Sequence, residues 1–223
     1  MKFGAPDKQV SLEDFYKLAD RAIRAVGENA ATPEGESSTP KLTVETYNNH
    51  VYFYADVDSD RCLAMIKAIR DIDNQLRNER ETRSVPEEIP HVPVWLHIQS
   101  NGGSLFTGLS MADQLATIRT PIYSIVEGCC ASAATLISMS CTKRFILANS
   151  FMLIHQLSSM KWGKYDEFQD EIHLMDMLMD RLGGFYTSHS KLSKTKIKQM
   201  LQRDSWFDAE QCLKIGLVDE VLK

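Results

Sequence analysis

The stretch PVWLHIQSNGGSLFTGLSMADQLATIRTPIYSIVE, residues 93–127, carries the pattern that decides the fold of this chain. It begins with an apolar strand pattern at 93–98, passes through a Gly-Gly turn into a helical pattern at 105–118, and ends in a second apolar strand pattern at 122–127. Strand, crossover helix and strand at this spacing are typical of parallel strands covered by helices. The stretch therefore predicts an α/β fold.

The same alternation continues toward the carboxyl terminus. The further predicted elements are a helix from about 130 to 140, strands at 144–148 and 151–155, a long helix from about 165 to 188, helices at 193–202 and 209–214, and a last short strand in LVDEVL. Asp208 is placed to cap the helix at 209–214, with Gln211 closing the capping box and Gly216 ending the helix. We expect a largely parallel sheet with helices on its faces.

Residues before the deciding stretch predict a hairpin and a helix. LTVETY and HVYFYADV flank Asn48 and Asn49, which tolerate the positive φ of a tight turn. Residues 59–80 place apolar side chains on one helical face. The segment that follows, 79–91, is charged and interrupted by prolines, so we expect a surface loop there.

The amino-terminal part of the chain has a different composition. Residues 11–26 carry apolar side chains at helical spacing, and residues 28–41 concentrate Pro, Gly, Ser, Thr and Glu without any apolar period. We therefore predict an amino-terminal helix and flexible linker over 1–41 and one main domain over 42–223.

Composition excludes several classes of function. Apolar residues make up 43% and charged residues 25% of the 223-residue chain, as in ordinary globular proteins. The 25 Lys and Arg residues are scattered over a chain of net charge −5, so we expect no nucleic-acid partner. No apolar run approaches the ~20 residues that span a bilayer, and the amino terminus lacks the apolar core of a signal peptide. We expect a cytoplasmic protein with no membrane partner.

The cysteine pattern indicates buried packing residues and not disulfides, metal ligands or a nucleophile. The five cysteines form an odd set without a C-x-x-C pair, which argues against a disulfide framework and a zinc site. Cys129 and Cys130 suggest a thiol nucleophile, but no basic neighbour is evident in the sequence. Buried thiols are the favoured interpretation.

Ser132 is the candidate nucleophile. It lies in EGCCASAAT, after the strand at 122–127 and at the first turn of a helix rich in small residues, where the helix dipole favours negative charge. This segment alone favours a serine that merely packs. The preceding SNGGS, residues 100–104, changes the balance, because two glycines let the backbone approach a ligand and present N–H groups to an oxyanion or an extended peptide.

Residues 98–139, from IQSNGGS to ASAATLISM, resemble the Clp protease proteolytic subunit (ClpP) family. Members of that family carry a Ser-Pro-Gly-Gly-Ser element and then a nucleophile in a Gly-x-Ala-Ala-Ser-Met-Gly-like element. FMLIHQ resembles the strand with the catalytic histidine, and LQRDSWFDAEQCLKIGLVDEVL resembles the closing element with an Arg-Asp pair. The resemblance covers about 44–223 and implies Ser132 as nucleophile, His155 as general base and Asp204 as the residue that orients it.

The resemblance also implies further site residues and a fold. The backbone N–H groups of Gly103 and Ala133 would form the oxyanion hole, and Gly102 and Ser104 would hold the substrate strand. The implied fold consists of ClpP/crotonase-like repeated β-β-α units, with a long helix and a short strand that form subunit contacts. The histidines outside the matching elements are expected to be surface residues or locally bonded: His50, His91, His97, His173 and His189.

The implied function is a serine endopeptidase that cleaves unfolded polypeptides inside an oligomeric chamber. The resemblance implies two stacked heptameric rings, a tetradecamer, fed by an AAA+ unfoldase. No metal or organic cofactor is expected. ATP would bind the unfoldase, because this chain has no G-x-x-x-x-G-K-[ST] loop.

Departures from the family pattern leave three alternatives open. The departures remove no catalytic side chain: they are an unfamiliar segment before residue 42, an insertion at 78–92, and changes at Asn101, Cys130, Ala131, Ala133, Ala134 and Leu157. The alternatives are a catalytically silent ring subunit, a dedicated maturation protease such as that of a viral capsid, and a crotonase-like acyl-CoA enzyme. The last of these would not need the three catalytic side chains.

Overall fold

The computed structural model describes residues 44–223. The predicted helix at 11–26, the linker at 28–41 and the domain boundary at 41/42 lie outside the described residues, so they stay predictions. Within 44–223, no helix is both long enough and apolar enough to cross a bilayer.

The described chain alternates strands and helices. The strands are β1 (Val44–Tyr47), β2 (His50–Phe53), β3 (Val94–Ser100), β4 (Ile122–Ala131), β5 (Lys143–Leu147), β6 (Phe151–Ile154), β7 (Ser205–Asp208) and β8 (Glu220–Leu222). The helices are α1 (Ser59–Thr82), α2 (Leu105–Ala116), α3 (Ala133–Met139), α4 (Tyr165–His189), α5 (Lys194–Met200) and α6 (Ala209–Ile215). This element order confirms the predicted α/β fold.

The eight described strands form one mixed sheet, in the order β1-β2-β3-β4-β5-β8, with β6 and β7 branching from β4. Only the β1–β2 and β6–β7 pairs of the described strands are antiparallel, so the sheet is largely parallel as predicted. Strand β4 pairs with β3 along one edge and is long enough to pair with two strands along the other. Its first part pairs with β5, and its last residues, Cys129 to Ala131, pair with β6.

The core lies between one face of the sheet and the helices. Val94, Leu96 and Ile98 alternate along β3 and are fully buried against that layer, as period-two side chains on one face should be. All residues of α3 are buried, because this short helix of small and apolar residues lies beneath α2. A Cβ atom at Gly108 of α2 would lie 3.0 Å from the Ala133 carbonyl oxygen. The tight packing of α2 on α3 holds the start of α3 in place.

Local turn and cap signals are confirmed. Asn48 has φ 53° in the β1–β2 turn. Asp208 caps α6 with a complete capping box to Gln211, and Gly216 ends the helix in the left-handed conformation at φ 78°. These features depend on neighbouring residues along the chain, which is why the sequence predicts them well.

Several predicted boundaries are wrong. The strand expected to end at 127 continues to Ala131, and the helix expected from about 130 begins at Ala133, because pairing with β6 keeps the intervening residues extended. Helix α1 continues to Thr82, so the loop expected from 79 begins later. Strand β7 was not predicted; it forms because Ser205 to Asp208 pair with β6.

Candidate active site

Ser132 lies between β4 and α3, at the turn from strand to helix. Its backbone has φ 54° and ψ −128°, a conformation that a residue with a side chain seldom adopts. The Ser132 N–H donates to the Leu153 carbonyl at 2.9 Å, and its carbonyl accepts from the Thr135 N–H at 3.0 Å. The neighbouring strand and the first helical turn thus hold this backbone. A serine on a strained strand-to-helix turn is the arrangement of a nucleophile elbow.

Gly102 makes the close approach to Ser132 possible. It has φ +96°, and a Cβ atom there would lie 2.6 Å from both the Ala131 carbonyl oxygen and the Ser132 Cβ. Only a glycine fits both the space and the backbone conformation. The Gly-Gly turn predicted after β3 therefore packs directly against Ser132, the candidate nucleophile.

Gly103 presents its N–H away from the sheet. The Val57 N–H donates to the Gly102 carbonyl at 2.7 Å, and the Val57 carbonyl accepts from the Ser104 N–H at 2.8 Å. Val57 therefore bonds to the residues before and after Gly103, and not to Gly103 itself. In this parallel pairing, the N–H and carbonyl of Gly103 itself face the other way. No acceptor for its N–H lies within the described chain. The N–H of Ala133 opens α3, where a helix leaves its first donors without an intrahelical acceptor.

The same bonds limit how Gly102 and Ser104 could hold a substrate strand, a role that stays a prediction. The Gly102 carbonyl and the Ser104 N–H are already taken by Val57, and the Gly102 N–H donates to the Ser100 hydroxyl at 3.1 Å. Neither Gly102 nor Ser104 therefore has these backbone groups free for an extended substrate.

His155 and Asp204 reach the site through the sheet. The β6–β7 ladder pairs Ile154 with Ser205, so His155, directly after β6, and Asp204, directly before β7, face each other. His155 Nδ1 and Asp204 Oδ1 are 3.9 Å apart, and the side chains are 26% and 70% exposed. The described chain contains no hydrogen bond between the Ser132 hydroxyl and His155. The three predicted side chains meet at one end of the sheet, but no continuous hydrogen-bond path joins them.

Ser132 and His155 open onto one pocket of about 290 Å³. Its walls are mostly apolar side chains of α2, α4 and the segment after β6: Leu105, Phe106, Leu157, Leu174, Met175, Leu178 and Leu182. Glu171 of α4 also lines it. From the sequence, the apolar face of α4 indicates only packing or a subunit contact, because its spacing fits either role and gives no sign that it faces the site.

The Clp protease family model matches residues 53–223, which include all the residues of this site. The chain belongs to the Clp protease family. With a serine at its strand-to-helix turn, it is a serine-type peptidase of that family.

Curated relatives carry the same family name. The chain is 31% identical over 133 residues to the "ATP-dependent Clp protease proteolytic subunit 2" of Treponema pallidum, covering 59% of this chain and 67% of the relative. It is 33% identical over 134 residues to the "ATP-dependent Clp protease proteolytic subunit" of Streptococcus mutans, covering 58% and 68%. A solved ClpP1 mutant from Listeria monocytogenes matches with a TM-score of 0.66 at 20% identity, over 79% of this chain and 92% of that one. The solved structure supports the Clp protease fold.

The cysteines of this Clp protease chain are poor nucleophiles. Burial raises the pKa of the Cys129 thiol and raises that of Cys130 well above its ordinary value. Both thiols therefore stay protonated near neutral pH, whereas a thiolate is the reactive form. The interpretation of these cysteines as packing residues fits Cys130, which is fully buried, and in part Cys129, which is half-buried.

Two of the other histidines form a separate network on the sheet. His50 Nδ1 lies 2.8 Å from His97 Nε2, and His97 Nδ1 lies 2.7 Å from a Glu127 carboxylate oxygen. Burial, and then the charge of His97, lower the pKa of His50. Neither histidine lines the Ser132 pocket. They are locally bonded, as expected from the sequence.

Proposed function

We propose that this chain is the proteolytic subunit of an ATP-dependent Clp-type protease and that Ser132, His155 and Asp204 are its catalytic triad. The observation that carries the proposal is the strained turn at Ser132, which faces the same pocket as His155 and lies beside the Gly103 N–H, for which residues 44–223 supply no acceptor. A nucleophile, a base and an oxyanion donor in one pocket are what acyl transfer needs.

In this mechanism, the Ser132 hydroxyl attacks the peptide carbonyl. His155 takes the serine proton and returns it to the leaving amine. Its Nδ1 faces Asp204, which leaves Nε2 for the serine and fits a carboxylate that holds the imidazole in the required tautomer. The N–H groups of Gly103 and Ala133 stabilise the oxyanion. The proposed chemistry requires no metal or organic cofactor.

We further propose that the subunit works in a homo-oligomer of two stacked heptameric rings with a closed chamber. Support comes from apolar side chains that one copy leaves in water after β6 and along α4. Met160 and Trp162 are each 98% exposed, and Ile172 is 60% exposed. Patches of this kind mark protein contacts. An AAA+ unfoldase would bind ATP and deliver unfolded substrates to this cytoplasmic particle.

Labelling with a serine-directed fluorophosphonate tests the chemistry. We expect one modified residue, Ser132, and no label in Ser132→Ala. A label at another serine would contradict the assignment of the nucleophile.

Access to the chamber is tested separately by solution size and by substrate folding. The protein should sediment as a large oligomer, cleave short peptides without ATP, and degrade folded proteins only with an unfoldase and ATP. Unfolding a substrate costs about 5–15 kcal/mol, which a passive pore does not supply. A 25.3 kDa monomer that digests folded proteins unaided would contradict the chamber.

One observation favours the second candidate, a catalytically silent ring subunit. The described chain makes no Ser132–His155 hydrogen bond, and Asp204 is 3.9 Å from the histidine. Such distances are common in ligand-free enzymes and shorten when substrate binds. A silent subunit would enter the oligomer but would neither react with the fluorophosphonate nor cleave peptides.

A further inference from the structure

Glu171 places a carboxylate in the wall of the Ser132 pocket. It projects from the first half of α4, and its side chain is 22% exposed. No other acidic side chain of the described chain lines this pocket. The sequence contains many acidic residues on α4, and only the packing of that helix distinguishes this one from its neighbours.

The Glu171 carboxylate is only partly satisfied by its neighbours. The Ser159 hydroxyl donates to Oε1 at 2.6 Å. The Lys161 ammonium lies 3.7 Å from Oε2, which is an ion-pair distance but too long for a hydrogen bond. No other described group donates to Oε2. One carboxylate oxygen therefore remains able to accept a hydrogen bond from a ligand.

The pocket matches a long side chain with a cationic end. Its walls from Leu174, Met175 and Leu178 suit a methylene stem, and Glu171 supplies the opposite charge. Arginine can pair with a carboxylate through two parallel N–H donors, and lysine through one. A leucine side chain would cover the carboxylate without giving it a donor, which is unfavourable. The Tyr186 hydroxyl does not compete, because it is bonded to Thr135 Oγ1 at 2.7 Å.

We propose that Glu171 is a specificity residue that makes this pocket accept a basic side chain, arginine before lysine. The side chain belongs to the substrate residue whose carbonyl Ser132 attacks, because the pocket adjoins Ser132 and Gly103. The inference rests on the proposed peptidase function and names the class of substrate that the site takes. Lys161 acts as a competing internal cation: its side chain is 42% exposed, so a substrate cation can displace it.

The test compares two fluorogenic peptides that differ only in arginine or leucine before the scissile bond. In the full-length protein, Glu171→Gln should lower kcat/KM for the arginine peptide by roughly 10- to 100-fold, the range expected for one hydrogen bond to a charged group. It should change the leucine peptide by less than about 3-fold. Lys161→Ala should raise the ratio of kcat/KM for the arginine peptide to that for the leucine peptide, because it removes the competing cation. Asp170→Asn is the matched control, since it removes one charge from an exposed position of α4 that does not line the pocket.

Binding supplies a measurement that does not depend on turnover. In the Ser132→Ala protein, fluorescence anisotropy of the two labelled peptides should show arginine-peptide affinity reduced by Glu171→Gln and leucine-peptide affinity unchanged. Equal effects on both peptides, or none on the arginine peptide, would overturn the specificity role. If the protein cleaves the leucine peptide but Glu171→Gln leaves the arginine-to-leucine ratio of kcat/KM unchanged, only this specificity inference is contradicted. If the wild-type protein neither cleaves peptides nor reacts with the fluorophosphonate, but still binds the arginine peptide in a way that depends on Glu171, only the proposed peptidase function is contradicted.

Discussion

The two halves of the candidate site are held in different ways. The nucleophile half consists of Gly102, Gly103, Ser132 and Ala133, and backbone hydrogen bonds and close packing leave it almost no freedom. The acid–base half depends on one side-chain contact, 3.9 Å between His155 Nδ1 and Asp204 Oδ1, and its Asp204 side chain is 70% exposed.

The difference shows which part of the machinery a single copy of the chain organises by itself. A strained serine persists only where the surroundings over-determine it, and here β6, α3 and the Gly-Gly turn do so. A solvent-exposed contact that is too long for a hydrogen bond contributes little to the positions of its two side chains. The nucleophile half is therefore preorganised in one copy, whereas the histidine and its carboxylate still have to close.

The largest expected effect tests the nucleophile half directly. Ser132→Ala removes only a hydroxyl, so kcat/KM for peptides should fall on the order of 10⁶-fold, as when a triad nucleophile is removed from other serine peptidases. Circular dichroism and solution size should remain those of the wild type. Retained turnover in a clean preparation would show that another residue attacks the substrate.

The next effect tests whether the acid–base half closes during the reaction. Asp204→Asn should lower kcat on the order of 10⁴-fold, because the amide favours the wrong imidazole tautomer. Asp208→Asn is the control, since Asp208 lies four residues away and caps α6, a role that asparagine also performs. If Asp204→Asn is nearly fully active, an acid other than Asp204 orients His155.

A smaller effect tests how tightly the nucleophile half is packed. Gly102→Ala should lower the free energy of unfolding by about 2–3 kcal/mol and peptide turnover by roughly 10²-fold, because the new Cβ displaces the Ser132 backbone. Gly184→Ala is the matched change: a Cβ there meets nothing within 4 Å, so it should stabilise α4 by about 0.5–1 kcal/mol. Thermal melting and peptide assays measure both. Wild-type behaviour of Gly102→Ala would show that the turn can yield.

The smallest effect tests whether either half needs the amino-terminal segment. Deleting residues 1–41 should leave folding, assembly and peptide turnover unchanged while altering the binding of partner proteins, because the linker composition separates this segment from the main domain. Circular dichroism, sedimentation and a pull-down with an unfoldase measure these outcomes. Aggregation or dissociation to monomers would show that the segment belongs to the core or to a subunit interface.

The sequence by itself determined the features that depend on residues close together in the chain. The apolar periods predicted the alternating strands and helices, Asn48 and Asn49 predicted the hairpin, and Asp208 predicted the cap of α6. The resemblance to the family identified the candidate nucleophile and its two partners by residue number, but it did not give the distances between their side chains. Local periodicity and turn chemistry suffice for such predictions because their causes act over a few residues.

Only the tertiary structure decided where distant segments meet. Pairing with β6 extends β4 to Ala131, and the same strand pairs with β7 to bring Asp204 opposite His155. The packing of α4 turns Glu171 into the Ser132 pocket, although Asp170 beside it faces solvent. The extension of β4, the approach of Asp204 to His155 and the entry of Glu171 into the pocket have the same physical reason. Each depends on contacts with residues far along the chain, which no local sequence pattern encodes.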